Sequence, residues 1–195
     1  MKEIEAELTA RYGLVCGVDE AGRGPLAGPV YAAAVLLHPG QHFEGLDDSK
    51  KLTEKKREAL YARVTAEALG WSVAFATAEE IDALNILNAT YLAMNRAVEG
   101  LSPAPAFALI DGNRSEGILF PNRTVVGGDG VYEAIAAASV LAKVTRDRFM
   151  LELAEQYPEY AFEKHKGYGT KLHYERLREY GPSPIHRRSF LKKLH

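Results

Sequence analysis

Several features that would restrict the function are scarce in this sequence. Cysteine occurs once, as Cys16, among 195 residues, which excludes an internal disulfide bond and is typical of proteins in a reducing compartment. No apolar run reaches the roughly 20 residues of a membrane-spanning helix, and residues 1–11 are charged and lack the apolar core of a secretion signal. We therefore expect a cytoplasmic protein that does not associate with a membrane.

Neither sign of charge is in large excess. The 24 lysines and arginines are offset by 26 aspartates and glutamates, so the chain as a whole would not attract nucleic acid. The positive charges gather in two clusters, which we expect to be solvated and to give a modest, salt-sensitive affinity for a polyanion. Their members are Lys50, Lys51, Lys55, Lys56 and Arg57 in the first cluster, and His186, Arg187, Arg188, Lys192 and Lys193 in the second.

Three common catalytic motifs are also missing. Cysteine and histidine do not recur at the spacing of a zinc site. Neither Ser49 nor Ser139 lies in a Gly-x-Ser-x-Gly turn, which argues against a serine nucleophile, and no glycine-rich stretch ends in the Gly-Lys-Ser/Thr of a P-loop. Since internal repeats and low-complexity segments are absent as well, we expect one domain over residues 1–195.

Apolar runs and helical patterns alternate along the chain, which predicts an α/β fold. Strands are expected over residues 14–18, 30–37, 71–76, 107–110 and 124–126. Helices are expected after Thr53 and over residues 77–84, 85–98, 131–156 and 171–180, and a helical C-terminal portion should extend from about 157 to 195. In such folds, functional residues gather at strand ends and in the adjacent loops.

Four carboxylates occupy such places. Asp19 and Glu20 end the first predicted strand, Asp111 ends the fourth, and Asp129 lies in a glycine-rich break before the longest predicted helix. Clustered carboxylates repel one another unless a cation neutralises them, and their oxygens suit hard divalent ions. We therefore expect a pair of Mg²⁺ or Mn²⁺ ions that activates a water molecule and stabilises the leaving oxygen of a phosphodiester. In a regular strand Asp19 and Glu20 point to opposite sides, so one shared centre needs a backbone turn or a cation over the strand end.

A glycine-rich turn follows the first two carboxylates. Gly22, Gly24 and Gly28 let the main chain approach a ligand closely, and Arg23 offers a fork of donors suited to phosphate or sugar oxygens. Together with the carboxylates, this turn indicates a metal-dependent site for a polyanion. The simpler alternative is an acidic turn capped by glycines that binds no ligand.

The ordered motifs resemble the ribonuclease HII family, the type 2 ribonucleases H, over residues 14–190. The matching segments are GVDEAGRGPLAGPV at 17–30, DDSKKL at 47–52, NILNAT at 85–90, IDG at 110–112, GGD at 127–129, IAAAS at 135–139, AKVTRD at 142–147, HKGYGT at 165–170 and HRRSF at 186–190. The resemblance implies a ribonuclease H-like fold, with a central mixed β-sheet flanked by helices and the C-terminal portion closing over nucleic acid. It separates the chain from the type 3 enzymes, which lack the Gly-Arg-Gly triplet.

The resemblance also implies roles for individual residues. The four carboxylates would be the catalytic ligands of two divalent ions. The triplet Gly22-Arg23-Gly24 would bind the ribose 2′-hydroxyl at an RNA–DNA junction, and Tyr168 would stack on the next deoxyribose, where an added hydroxyl would be crowded. Contacts to phosphates are implied for Lys50, Ser139 and Lys143.

The implied enzyme is an endoribonuclease. It would hydrolyse the RNA strand of RNA–DNA hybrids and cut on the 5′ side of a single ribonucleotide in duplex DNA, leaving a 3′-hydroxyl and a 5′-phosphate, in ribonucleotide and RNA primer removal. We expect a monomer with no clear sliding-clamp peptide after Phe190. Residues 130–133 are bulkier and more acidic than the segment usual in the family, which bears on metal preference and affinity. Two other functions stay open: a DNA-cutting nuclease on a similar fold, and a catalytically silent protein that binds hybrid junctions.

Some residues also have simpler interpretations. Asp129 could be only the N-cap of the long helix, and Tyr168 only a packed tyrosine. Asp147 competes for the place of the fourth carboxylate, but we expect it to pair with a neighbouring arginine or lysine. His165 and His186 could transfer protons, although surface imidazoles beside basic residues are the more ordinary interpretation.

Overall fold

A five-stranded mixed sheet forms the centre of the protein in the computed structural model, which describes residues 2–46 and 52–191. The strands are β1 (Val15–Ala21), β2 (Val30–Leu36), β3 (Gly70–Ala76), β4 (Phe107–Asp111) and β5 (Asn122–Val125), in the order β3-β2-β1-β4-β5. β2 pairs antiparallel with β1 and with β3, whereas β4 pairs parallel with β1 and with β5. The mixed sheet and all five strand positions predicted from the sequence are confirmed.

Seven α-helices surround the sheet in this part of the chain. They are α1 (Lys2–Tyr12), α2 (Glu54–Glu67), α3 (Ala78–Leu84), α4 (Ile86–Glu99), α5 (Glu133–Gln156), α6 (Phe162–His165) and α7 (Lys171–Tyr180). Thr53 caps α2 as predicted, because its side chain accepts a hydrogen bond from the Lys56 amide. The sequence patterns did not predict α1. Within residues 2–46 and 52–191, no helix combines the length and the apolar composition needed to cross a bilayer.

The apolar run of β2 is buried on both faces of the sheet. Ala32 and Ala34 pack in one core cluster with α4, and Ala33 and Val35 pack in a second cluster with α5. Since successive side chains of a strand point to opposite faces, a strand covered by helices on both sides needs apolar residues at every position. This burial explains why the run is continuous rather than alternating.

A close main-chain contact between the layers joins β1 to the start of α5. A Cβ atom on Gly17 would overlap with the main chain of Ala134 and Ile135. The absence of a side chain therefore lets α5 lie directly against β1, and the small residues Ala136, Ala137 and Ala138 continue this close packing. The packing sets Ser139, one position further along α5, beside the end of β1.

The chain after α5 packs against the glycine-rich turn between β1 and β2. The Leu26 amide donates to the Gly167 carbonyl at 2.8 Å, and the Arg187 amide donates to the Leu26 carbonyl at 2.9 Å. The predicted helical character of this C-terminal portion is confirmed by α6, α7 and short 3-10 turns over Pro158–Tyr160 and Arg188–Phe190.

We predict that Gly17→Ala lowers the free energy of unfolding by about 2 kcal/mol or more, because the added methyl meets main-chain atoms that cannot rotate away. Gly130→Ala is the matched control, since a Cβ there meets nothing within 4 Å. Denaturant unfolding monitored by circular dichroism would measure both. Equal stability of the two variants would contradict the close β1–α5 contact.

Candidate active site

Asp19 and Asp111 lie at the ends of two neighbouring parallel strands. Val18 on β1 pairs with Ile110 on β4, and the two aspartates are the next residues on their strands. Asp19 is 6% exposed, and burial raises the pKa of its carboxyl well above the usual value, with the charges of Glu20 and Asp111 adding to the rise. A hydrogen bond with Ser139 and one from the Glu20 amide at 2.7 Å oppose this rise.

Glu20 remains part of a regular strand. β1 continues to Ala21, which pairs with Tyr31 of β2, so the backbone does not turn between the two carboxylates. Burial raises the pKa of the Glu20 carboxyl, and the Arg23 guanidinium, at 3.3 Å, opposes the rise. Glu20, Arg23 and Asp111 line one cavity of about 180 Å³.

Asp129 lies in the 3-10 turn Gly128–Gly130 and is 5% exposed. The preceding Gly128 amide donates to the Asp111 carboxylate at 2.6 Å, which ties this turn to the end of β4. Asp129 itself lines a second cavity, of about 510 Å³, between α1 and the start of α5. The interpretation of Asp129 as the N-cap of the long helix is wrong, because α5 begins at Glu133 with Tyr132 at the N-cap.

The described residues do not form a preassembled metal site. In the ranges 2–46 and 52–191, no group of three or more histidine, cysteine, aspartate or glutamate side chains is arranged to hold a metal ion. Even so, the donor set fits a hard cation, because carboxylate oxygens concentrate at one strand end and repel one another there. The structure thus places Asp111 within electrostatic reach of both Asp19 and Glu20, which occupy successive positions of a regular strand, and keeps Asp129 in an adjoining turn.

A buried arginine holds the glycine-rich turn. The Arg187 side chain is 0% exposed and donates to the carbonyls of Gly28 at 2.9 Å, Arg23 at 2.9 Å and Gly22 at 2.6 Å. Burial, reinforced by the charge of Arg146, lowers the pKa of the Arg187 guanidinium to about 9. The guanidinium fork therefore fixes three main-chain carbonyls of the turn at once.

The burial of Arg187 corrects the predicted second basic cluster. His186 is also buried, at 1% exposure, so neither residue can face a polyanion on the surface. Arg188 is exposed, and Lys192 and Lys193 lie outside the described residues. In the first cluster, Lys50 and Lys51 lie outside the described residues as well, while Lys55 and Lys56 are exposed.

A second buried arginine comes from α5. The Arg146 side chain is 1% exposed and donates to the carbonyls of Pro29 at 3.2 Å and Ala27 at 3.3 Å. Its guanidinium would overlap with a Cβ on Gly22, whose φ of +95° also favours glycine. A sequence signal existed: Arg146 stands four residues after Ala142 and four before Met150, within the apolar stripe of the helix.

Tyr168 stands beside the glycine-rich turn with an exposed ring. Its ring edge lies 3.8 Å from the position that a Cβ on Gly24 would take. The side chain is 43% exposed, so it is not an ordinary packed tyrosine. The Arg146 guanidinium lies 5.7 Å from the ring centroid.

Two of the side chains predicted to contact phosphates pair with carboxylates in the structure without substrate. Ser139 is hydrogen-bonded to Asp19, and Lys143 forms an ion pair with Asp147 at 2.7 Å. The predicted pairing of Asp147 with a neighbouring basic residue is thereby confirmed. Lys50 lies outside the described residues, so its placement stays a prediction.

Known proteins share both the sequence and the fold of this chain. A family model described as Ribonuclease HII matches residues 16–193. The chain belongs to the ribonuclease HII family. A ribonuclease HII of Burkholderia mallei (strain SAVP1) is 60% identical over 177 residues, which cover 91% of this chain and 83% of the relative. The protein is accordingly a nuclease, a hydrolase with ribonuclease H activity on RNA–DNA hybrids.

Solved structures confirm the predicted ribonuclease H-like fold. The ribonuclease H2 from Pyrococcus horikoshii OT3 is 29% identical, with a TM-score of 0.75 over 90% of this chain and 93% of that chain. A structure of Bst-RNase HIII in complex with Mn²⁺ is 18% identical, with a TM-score of 0.69 over 86% of this chain and 63% of that chain.

We predict that Arg187→Lys lowers the free energy of unfolding by about 3 kcal/mol, because a lysine cannot serve three carbonyls and leaves buried acceptors unpaired. Arg188→Lys, at the exposed neighbouring position, should change stability by no more than about 0.5 kcal/mol. Urea unfolding would measure both variants. A loss of equal size at both positions would contradict the role of the guanidinium fork.

Proposed function

We propose that the protein cuts on the 5′ side of single ribonucleotides embedded in duplex DNA, as well as within RNA–DNA hybrids, and uses two divalent ions. The placement of Asp19 and Asp111 at adjacent strand ends, beside Glu20, carries the metal part of the proposal. The position of the Tyr168 ring beside Gly24 of the glycine-rich turn supports the part of the proposal that concerns the ribonucleotide. The biological role would be the removal of ribonucleotides and RNA primers from DNA.

The ions would be held by Asp19, Glu20, Asp111 and Asp129. Bound Mg²⁺ or Mn²⁺ would supply Lewis acidity, making an attacking water more acidic and stabilising negative charge on the phosphate. The Mn²⁺ bound by the neighbouring Bst-RNase HIII supports the choice of a divalent ion. A bound cation would favour the ionised form of Asp19, opposing the burial and the two like charges that raise the pKa of its carboxyl. Ser139 would keep the Asp19 carboxylate oriented through their hydrogen bond.

The triplet Gly22-Arg23-Gly24 and Tyr168 would recognise the junction. Because Arg187 holds the carbonyls of Gly22 and Arg23 toward the interior, the main chain here is fixed before substrate arrives. A ribose could then lie against the triplet with its 2′-hydroxyl hydrogen-bonded, and the following deoxyribose could lie on the Tyr168 ring. A 2′-hydroxyl on that second sugar would crowd the ring.

Phosphate contacts are proposed for Lys50, Ser139 and Lys143. Lys143 is 35% exposed while paired with Asp147, so it could reach a phosphate only by sharing or leaving that carboxylate. The protein would act as a monomer on RNA–DNA hybrids and on ribonucleotide-containing DNA. We propose no sliding-clamp contact.

The metal centre is tested by cleavage of three end-labelled duplexes: all-DNA, DNA with one ribonucleotide, and a full RNA–DNA hybrid. We expect cleavage of the last two with Mg²⁺ or Mn²⁺ and none with chelator. Asp19→Asn and Asp111→Asn should each lower kcat by at least about 100-fold, because a lost carboxylate weakens the electrostatic stabilisation of the transition state. Glu99→Gln, an exposed carboxylate change at the end of α4, should retain activity.

The three substrates also separate the other functions. Cleavage of all-DNA at the same rate would indicate a DNA nuclease, and tight binding without cleavage under any metal would indicate a recognition protein. Full activity of both aspartate variants would contradict the proposed metal centre but not the assignment to the family.

Junction recognition is tested with Tyr168→Ala. We expect the ratio of kcat/KM between the single-ribonucleotide duplex and the full hybrid to fall about tenfold, since stacking on an aromatic ring contributes about 1–3 kcal/mol. The control is Tyr180→Ala, at a tyrosine that is 49% exposed. An unchanged ratio in the Tyr168 variant would contradict its role at the junction.

A further inference from the structure

Three buried histidines form a cluster under Tyr168 that the proposed chemistry does not use. His165, His173 and His186 are 7%, 0% and 1% exposed, so the expected surface position of His165 and His186 is wrong. The rings of His165 and His173 stack with centroids 4.3 Å apart, and those of His173 and His186 are 5.2 Å apart. Their sequence context of lysines and arginines gave no sign of this burial.

The hydrogen-bond partners determine where the protons lie. A carbonyl oxygen can only accept, so Nδ1 of His173 carries the hydrogen that is donated to the Tyr168 carbonyl at 2.9 Å. Nε2 of a neutral His173 must then accept, and His186 Nε2 donates to it at 3.0 Å. Nδ1 of His186 in turn accepts from the Ser183 amide at 3.0 Å and from the Ser183 hydroxyl at 2.7 Å.

His165 is satisfied in the same way. Its Nε2 donates to the Tyr160 carbonyl at 3.0 Å, and its Nδ1 accepts from the Gly167 amide at 3.2 Å. All six ring nitrogens thus have partners when the rings are neutral. Burial lowers the pKa of His173 to about 4 and that of His186 to about 3, so the neutral network persists at physiological pH.

The backbone of Tyr168 is the end point of this network. The Tyr168 carbonyl accepts from His173 and from the Thr170 amide at 2.8 Å, and the Tyr168 amide donates to the His165 carbonyl at 2.9 Å. The tyrosine ring is 43% exposed and has the Arg146 guanidinium 5.7 Å from its centroid, so packing fixes only part of its position. Its direction therefore depends on how firmly the main chain at Tyr168 is held.

We propose that His173 is a positioning residue for Tyr168: its Nδ1–H fixes the Tyr168 carbonyl, and the chain through His186 to Ser183 fixes the His173 ring. This inference rests on the proposed role of Tyr168 at the RNA–DNA junction. His173 does not touch the substrate; it keeps the ring beside Gly24 so that the following deoxyribose meets a surface already in place.

Two substitutions distinguish the roles of the two ring nitrogens of His173. The amide nitrogen of an asparagine side chain can occupy the place of Nδ1, so His173→Asn keeps the donor to the Tyr168 carbonyl and loses the contact with His186. The amide oxygen of glutamine can occupy the place of Nε2, so His173→Gln keeps the His186 contact and loses the donor. Phe162→Leu is the packing control, since Phe162 lies against His173 with centroids 5.6 Å apart and makes no side-chain hydrogen bond to it.

The measured quantity is the ratio of kcat/KM between the single-ribonucleotide duplex and the full hybrid, at a temperature where circular dichroism shows each variant folded. We expect His173→Gln to lower this ratio about fivefold to tenfold, as the loss of one hydrogen bond would. His173→Asn should stay within about twofold of the unmodified protein, and Phe162→Leu should lower the melting temperature without changing the ratio. In a Tyr168→Ala background, His173→Gln should have no further effect on the ratio.

A ratio that is unchanged in His173→Gln, or lowered equally in both His173 variants, would overturn the proposal. If Tyr168→Ala itself leaves the ratio unchanged, the junction role fails, and amide hydrogen exchange in the free protein decides on His173 alone. We expect faster exchange at Tyr168 and Thr170 in the glutamine variant than in the asparagine variant. Equal exchange in the two would overturn the positioning role whatever the substrate preference.

Discussion

The repulsion between carboxylates at the end of the β1–β4 pair is the constraint on which the site depends. Parallel pairing puts Asp19 and Asp111 on adjacent strands, and the fold then buries Asp19 almost completely. A buried carboxylate without a cation favours its neutral form, and hydrogen bonds from Ser139 and the Glu20 amide offset only part of that tendency. Repulsion between these carboxylates is therefore largest when all of them are ionised, and a proton or a cation at this point would lower it. Gly17 makes the arrangement possible, because without a side chain there α5 can bring Ser139 to the end of β1.

Two buried positive charges hold the neighbouring glycine-rich turn, in contrast to the negative charges at the end of the β1–β4 pair. Arg146 and Arg187 enter from α5 and from the C-terminal portion, and their described hydrogen bonds go to main-chain carbonyls rather than to carboxylates. A carbonyl dipole compensates a buried guanidinium less than a full negative charge does, so several are needed for each arginine. These hydrogen bonds restrict the conformation of the glycine-rich turn. A turn rich in glycine loses most of its conformational freedom when two planar forks hold its carbonyls.

Most of the helices and strands could be predicted from the sequence because four of the five strands are largely apolar and most helices have clear starts and ends, whereas the mixed sheet was implied by the family resemblance. The helix α7 and the strand positions needed no tertiary information. α1 was missed because charged residues dominate its sequence, and Leu8 and Tyr12, which pack against β4, form only a short apolar pattern. The buried state of Arg187 and His186 was missed because both stand in a run that is typical of a basic surface. The Arg187 side chain pairs with carbonyls about 160 residues away along the chain, and local patterns carry no information about such partners. The candidate carboxylates were easier to find, since strand ends can be recognised in the sequence. The cavity lined by Asp129 could not be predicted in this way.

The two halves of the proposed junction site come from distant parts of the chain, and main-chain hydrogen bonds hold them together. The Leu26–Gly167 bond and the Arg187–Leu26 bond join the glycine-rich turn to the segments on both sides of α7. Side-chain packing across the site would have filled the space that a sugar must enter. Main-chain hydrogen bonds and buried polar side chains set the distance between the glycine-rich turn and Tyr168 from the interior side. Gly24 and the Tyr168 ring stay accessible on the solvent side. The aromatic surface can stay exposed because the supporting interactions lie below it, where the arginines and the neutral histidines are buried.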